Sequence, residues 1–364
     1  MGLPLGAIIL DGHIDTTQRM LDGNVDISVR LPDGHVDVPR MKAGGLSAAF
    51  FAIWVDETYG PGTAYQRALA LIGAVRALAD TAGADVELAT TAAEVRAAVG
   101  RGHVAVLMGV EGGHAIENSL EKLDALYAWG VRYMTLTWNN GNDWAGASMD
   151  RQRAGGLSPF GRQVVRRMNE LGMLVDVSHV SDSTFGDVLA ATSRPVIASH
   201  SCCRALAAHP RNLTDDQLRA IARNGGVVGI NFFPVFLDDH FRAQYAEVNR
   251  RLRPEFASIR ARYPGQPGLA DFEIDKVRGA HLDGLDVPGI DRLIDHVEHA
   301  VQVMGVDHVG LGSDFDGISV LPRPMQDASS LPLIVAALKA RGYSDSDARK
   351  ILGENFLRLL SAAP

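Results

Sequence analysis

The chain has 364 residues, of which 35 are basic and 43 acidic for a net charge of −8, and it is 46% hydrophobic, 21% charged and 6% aromatic. That composition excludes a disordered chain, two cysteines exclude a disulfide scaffold, and no apolar run approaches the 20 or so residues of a membrane helix. The acidic balance leaves no global footprint for a phosphate backbone, so neither nucleic acid nor a membrane is an expected partner.

The apolar start MGLPLGAIIL has no Lys or Arg ahead of it and no small-residue cleavage site, and it runs straight into DGHID. It therefore reads as a first strand rather than a signal peptide. Gly6 stands where N-myristoylation would need Ser or Thr. Cys202 and Cys203 are adjacent, a spacing that seldom allows a disulfide, and read as free thiols; a cytoplasmic location is the expectation.

Short apolar, β-branched runs recur along the chain at Ala7–Leu10, Ser47–Trp54, Val104–Gly109, Arg132–Thr137, Met173–Val177, Pro195–Ser199, Val227–Phe232 and His308–Gly312. Helical periodicity predicts helices between them at Ala64–Ala79, Leu120–Trp129, Phe160–Leu171, Ser183–Ala191, Asp215–Arg223 and Ile290–Met304. Thr214 and Gln217 form a capping box at the start of one of these, and Gly225 closes it. Alternating strands and helices are the signature of a parallel sheet, and eight such units fit a closed (β/α)8 TIM barrel, although an open doubly wound sheet shows the same local alternation. Neither a G-x-G-x-x-G fingerprint nor a Walker lysine motif is present.

One barrel domain accounts for residues 1–364, with the surplus length in two insertions near 22–42 and 234–287. In the first, ISVRLPDGHVDV predicts a small hairpin turning at Pro32-Asp-Gly34. The second predicts a charged helix over His240–Arg262 followed by PGQPG as a loop. Neither has the apolar content of an independent domain.

Metal-binding residue types cluster at the predicted strand ends. His13 and Asp15 follow the first, Glu111 the third, His179 the fifth, His200 the sixth and Asp314 the eighth. In a barrel those ends converge on one face, where active sites are built. Three imidazoles and three carboxylates are costly to bury together without a cation, and a donor set of N and O without thiolate suits a hydrolytic metal centre. His35, His103, His240, His281, His296, His299 and His308 lack acidic partners at strand ends and are read as non-ligands, His296 and His299 as part of a solvated helix face. His209 is read as structural or exposed, and Cys202 as no ligand.

The segments DGHID (11–15), GVEGGH (109–114), RYMTLT (132–137), DVSHVS (176–181), ASHS (198–201), HPRNLTDDQL (209–218), GGVVGINFFPVFL (225–237), HVGLGSDFDG (308–317) and ILGENFLRLL (351–360) resemble those of the membrane dipeptidase (renal dipeptidase) family of zinc peptidases, amidohydrolase-type metal-dependent barrels. The resemblance implies a zinc dipeptidase acting on small peptides, L-D as well as L-L, through a hydroxide bridging two divalent ions. It implies His13, Asp15 and Glu111 on one ion and His179, His200 and the same Glu111 on the other, with Asp314 as catalytic acid and base and Arg211 binding the substrate carboxylate. His114 and Asp316 take supporting roles, and a homodimer is consistent with the resemblance. One position departs: where much of the family reads TLTH, this chain has Trp138, whose indole donates one hydrogen bond but cannot become a cation. Trp138 and Asn139 then become candidate pocket residues. Alternative readings are a related metal hydrolase of N-acyl amino acids, other amides or lactones, and a metal-binding barrel that has lost turnover.

Overall fold

The computed structural model describes residues 6–81 and 85–361. The first five residues of the apolar start lie outside them, and with them the Gly2 position. The strands are β1 (Ile9–Ile14), β2 (Leu46–Trp54), β3 (Val86–Leu88), β4 (Val104–Glu111), β5 (Val131–Thr135), β6 (Leu174–Asp176), β7 (Ile197–Ser201), β8 (Val227–Ile230) and β9 (Val309–Leu311). All pairings are parallel, and β2 pairs with both β1 and β4, which closes eight strands into a (β/α)8 barrel. The short β3 pairs only with the first half of β4 and stands outside the ring. The eight predicted strands are the eight barrel strands. Three run further than the apolar runs suggest, β1 through His13 to Ile14, β4 to Glu111 and β7 through His200 to Ser201, because polar side chains that face a common cleft leave strand pairing intact.

The six predicted helices are present, among them Asp215–Arg223 with both halves of its capping box, Thr214 accepting from the Gln217 amide and Gln217 reaching back. Alternate strand residues divide between two layers. Leu10, Phe50, Ala105, Leu107, Tyr133, Ile197 and Val227 fill the barrel, floored by Phe356 from the C-terminal helix Asn355–Ser361. Phe51, Ile53, Val106 and Val110 face the outer helices. Gly109 has no side chain for a packing reason: a Cβ there would lie 2.0 Å from the Tyr133 ring.

Two barrel strands break this alternation where they meet the cleft. In β1, Leu10 faces inward and Ile14 outward, although an even spacing would put them on one side; the pairing with β2 shifts register between Asp11 and Ile14. In β7 the register with β8 shifts between Ala198 and Ser201. Such irregularities re-aim side chains, and these two carry His13 and His200.

The insertions differ from expectation. No hairpin forms over 22–42. Asp37 caps a helix, Val38–Gly44, through the Arg40 amide at 2.7 Å, with a proline in its first turn. The Asp33 carbonyl accepts from the side chains of Arg19 (3.3 Å) and Arg40 (2.9 Å), so it has no strand to pair with. In the second insertion the predicted helix spans Asp239–Arg262, but Pro267 of the supposed loop opens a further helix, Pro267–Gly279. These helices pack on each other through a cluster including Phe241, Tyr245, Val248, Phe256, Ile259 and Ile274, more apolar content than the sequence reading credited to this segment.

Candidate metal centre

The five predicted ligands and Asp314, the predicted acid and base, reach one cleft at the C-terminal ends of the strands. His13 and His200 lie within β1 and β7 and Glu111 ends β4, so three of the six belong to strands rather than to the loops after them. His179 and Asp314 do lie beyond their strands, with φ of 67° and 65°. That left-handed conformation costs a non-glycine residue about 1–3 kcal/mol and typically marks a functional constraint.

Glu111 is the centre of the array. Its Oε1 lies 2.9 Å from His179 Nε2 and 3.5 Å from His200 Nε2, while Oε2 lies 3.4 Å from His13 Nε2. Asp15 Oδ2 is also 3.4 Å from His13 Nε2. Ligand atoms of His13, Glu111 and His200 lie within 4.8 Å of one another, as do those of His13, Asp15 and Asp314. These triplets do not coincide with the two ligand sets implied by the resemblance; His13 belongs to both, and the division between sets follows the two oxygens of Glu111.

The far side of each ring fixes its orientation. His13 Nδ1 is 2.8 Å from the Tyr133 hydroxyl, which also approaches the Gly12 carbonyl at 3.3 Å. His200 Nδ1 is 2.8 Å from Ser199 Oγ, which donates to Asp176 at 2.6 Å. Asn231 donates to Asp314 at 2.9 Å. Sequence reasoning missed Tyr133, Asp176, Ser199 and Asn231 as functional, although all four lie in the segments that carry the family resemblance.

Electrostatics match a cation site. Burial, then neighbouring Arg211, pulls His179 down to about 4, and burial with His13 and Arg211 pulls His200 further below its ordinary range, so both rings are neutral, as ligands must be. Burial pushes Glu111 up, but the adjacent His13 and His179 outweigh it and hold the carboxyl well below the usual range. Burial, then Asp15, raises Asp314 to about 7. His13 Nε2 is wholly buried, faces Glu111 and Asp15, and has no hydrogen-bond partner among the described residues. Converging imidazoles around an anionic centre, one with an unsatisfied nitrogen aimed at it, fit a divalent ion held by N and O donors.

Arg211 is 4% exposed, and its guanidinium donates to the His200 carbonyl at 3.1 Å. Its Nε has no partner, and it forms no ion pair among the described residues. Together with Trp138 and Asn139 it lines a cavity of about 200 Å3 over the ligands. Trp138 meets Trp54 edge to face at 5.0 Å between ring centres. His114 instead approaches the Asp56 carbonyl at 3.3 Å, and Asp316 accepts from Thr16 (2.7 Å) and the His35 amide (2.6 Å), so both support the loops. His209 accepts from the Arg211 amide at 3.1 Å, a structural role. His296 corrects the reading of a solvated face: it is fully buried between the Cys203 amide and the Leu237 carbonyl. Both cysteines are buried free thiols.

A TIM barrel carrying an imidazole–carboxylate cluster at its C-terminal face belongs to the metal-dependent hydrolases. The model of the membrane dipeptidase family, peptidase family M19, matches residues 5–364, and the chain belongs to that family. Among solved structures it is similar to a dipeptidase AC, a metallo peptidase of family M19 (29% identity, TM-score 0.79, 98% of each chain covered). A metallo peptidase from Rhodobacter sphaeroides, liganded with a phosphinate mimic of L-Ala-D-Ala, shares 29% identity at a TM-score of 0.78, over 98% of this chain and all of that one. The probable dipeptidase PvdM from Pseudomonas aeruginosa shares 26% at 0.83, over 98% of this chain and 96% of that one. The protein is thus a metal-dependent dipeptidase, a hydrolase of peptide bonds in small peptides. No helix among the described residues is long and apolar enough to cross a membrane.

Proposed function

We propose that the protein is a binuclear zinc dipeptidase that cleaves L-D as well as L-L dipeptides and works in the cytoplasm. The observation that carries the two-ion reading is the division of the ring nitrogens between the oxygens of Glu111, His13 on one and His179 with His200 on the other. His13, Asp15 and Glu111 would hold one ion, and His179, His200 and Glu111 the second. When bound, such ions polarise a carbonyl and make water acidic enough to act as a nucleophile near neutral pH.

The chain's own groups supply the rest. Asp314, held by Asn231 and raised to about 7, is poised to accept the proton of the attacking water and return it to the leaving amine. Arg211 presents a planar fork suited to the carboxylate of the C-terminal residue, which favours a dipeptide over an internal peptide bond. Trp138 and Asn139 form part of the pocket wall. The L-D tolerance draws support from the L-Ala-D-Ala mimic bound by the Rhodobacter sphaeroides relative.

The test is hydrolysis of L-L and L-D dipeptides and of N-acyl amino acids and lactones by zinc-loaded protein, with metal content measured in parallel. Two zinc ions per chain and cleavage of both dipeptide series support the reading. One ion per chain, or turnover confined to N-acyl amino acids or lactones, overturns it.

A further inference from the structure

The cavity has a wall that the catalytic argument does not use. Gly268, Asp271, Phe272 and Asp275 all line it, and their spacing is that of one face of the helix Pro267–Gly279. That helix packs on the helix Thr17–Asp22 that follows β1: a Cβ at Gly268 would lie 2.8 Å from Gln18. Six carboxylates line the cavity in all. Asp15, Glu111 and Asp314 belong to the ligand cluster, and Asp316 is satisfied by Thr16, the His35 amide and Arg19. Asp271 and Asp275 remain. Asp271 is paired to Arg260 at 3.0 Å, but Arg260 is 62% exposed and such a pair is weak. Asp275 forms an ion pair with Arg278 of its own helix, both side chains 18% exposed.

A second, independent observation marks the same cavity as a ligand site. Arg211 and Trp54, 4% and 7% exposed, both line it, and Arg211 Nε and Trp54 Nε1 are buried without a hydrogen-bond partner among the described residues. Asp314 is within electrostatic reach of Arg211 and of Asp275. The buried cation Arg211 and the helix face that carries Asp271 and Asp275 thus line the same cavity as the reacting groups. A peptide whose C-terminal carboxylate meets Arg211 directs its amino-terminal residue elsewhere in the cavity.

We infer that Asp271 and Asp275 recognise a cationic side chain on the amino-terminal residue of the substrate, so that the preferred substrates are dipeptides beginning with Lys, ornithine or Arg; this rests on the dipeptidase reading above. The α-amine itself does not account for the pair. It is two bonds from the scissile carbonyl carbon and stays beside the ligand cluster, where Asp15 and Asp314 already supply carboxylates. Asp271 and Asp275 are in neither ligand triplet and stand on a separate element, so a group reaching them extends from the Cα as a side chain. Trp54, Trp138 and Phe272, also in the lining, suit the methylene stem of such a chain.

The test compares kcat/KM for Lys-Ala and norleucine-Ala, which are similar in length and differ in charge, with zinc-loaded wild type, Asp271→Asn and Asp275→Asn. Wild type is expected to favour Lys-Ala by about tenfold or more, and each substitution to bring the ratio towards one. The wild-type ratio alone keeps the inference falsifiable should a variant fold poorly. Equal rates in wild type, or a ratio that survives both substitutions, overturns the inference and leaves the dipeptidase reading standing. If no dipeptide is cleaved, that reading falls and the inference with it.

Discussion

His13 is oriented towards the cluster by an atom on the far side of its ring. The Tyr133 hydroxyl fixes Nδ1 at 2.8 Å and leaves Nε2 facing Glu111 and Asp15. Partners of this kind typically contribute 10–100-fold in metal affinity. Tyr133→Phe is therefore expected to weaken zinc binding by about that factor, read by competition with a chromophoric chelator, while retaining the ring that packs on Phe50. Asp314 carries a different expectation. Its carboxyl titrates near 7 in the fold against about 3.9 in an unfolded chain, so its contribution to stability is present below about 3.9 and lost as pH rises through about 7. In metal-free protein, Asp314→Asn should raise Tm by a few degrees at pH 8, with the gain fading towards pH 4; calorimetry across that range checks it. The same substitution in zinc-loaded protein should lower kcat by about 10²–10⁴. The ligands were legible in the sequence because their residue types recur at strand ends. Tyr133 was not, because it acts across the barrel on a residue 120 positions away.

The strands and outer helices were legible because each has a local cause, hydrophobic period or cap. The capping box shows this most simply. Thr214→Ala removes an acceptor for the Gln217 amide and should cost about 1 kcal/mol in a denaturant titration. The register shifts in β1 and β7 have no such local signature. They follow from how neighbouring strands pair, yet they turn His13 and His200 into the cleft. The helix Pro267–Gly279 was obscured for the opposite reason. Its opening is rich in Pro and Gly, the residues of a loop, but Pro267 is tolerated in the first turn, where its missing N–H costs nothing. The absent hairpin near Pro32 repeats the lesson, since Arg19 and Arg40 take the carbonyl that a turn would have offered to a strand.

For the molecule as a whole, the barrel brings together six ligand-type residues whose mutual charge and burial oppose folding without a cation. Zinc should accordingly bind the native state far more tightly than the unfolded chain. A chelator-treated sample is expected to melt lower than a zinc-loaded one, and free zinc at 1,000 times its Kd to restore about 4 kcal/mol, measured by thermal melts over a zinc series. Of the two insertions, the one near 234–287 contributes to the pocket wall through Phe236 and the helix Pro267–Gly279.

Glu111 adds one more consequence. It ends a strand that pairs in unbroken register with β2 and, beyond a shift between Met108 and Gly109, with β5, Trp54 and Thr135 being its partners, and its two oxygens face different imidazoles. With two ions sharing it, filling one position changes the charge felt at the other, and thermodynamic reciprocity makes the influence equal in both directions. Were two ions to share it, their loading would be a coupled equilibrium, read as a departure from independent binding in a metal titration.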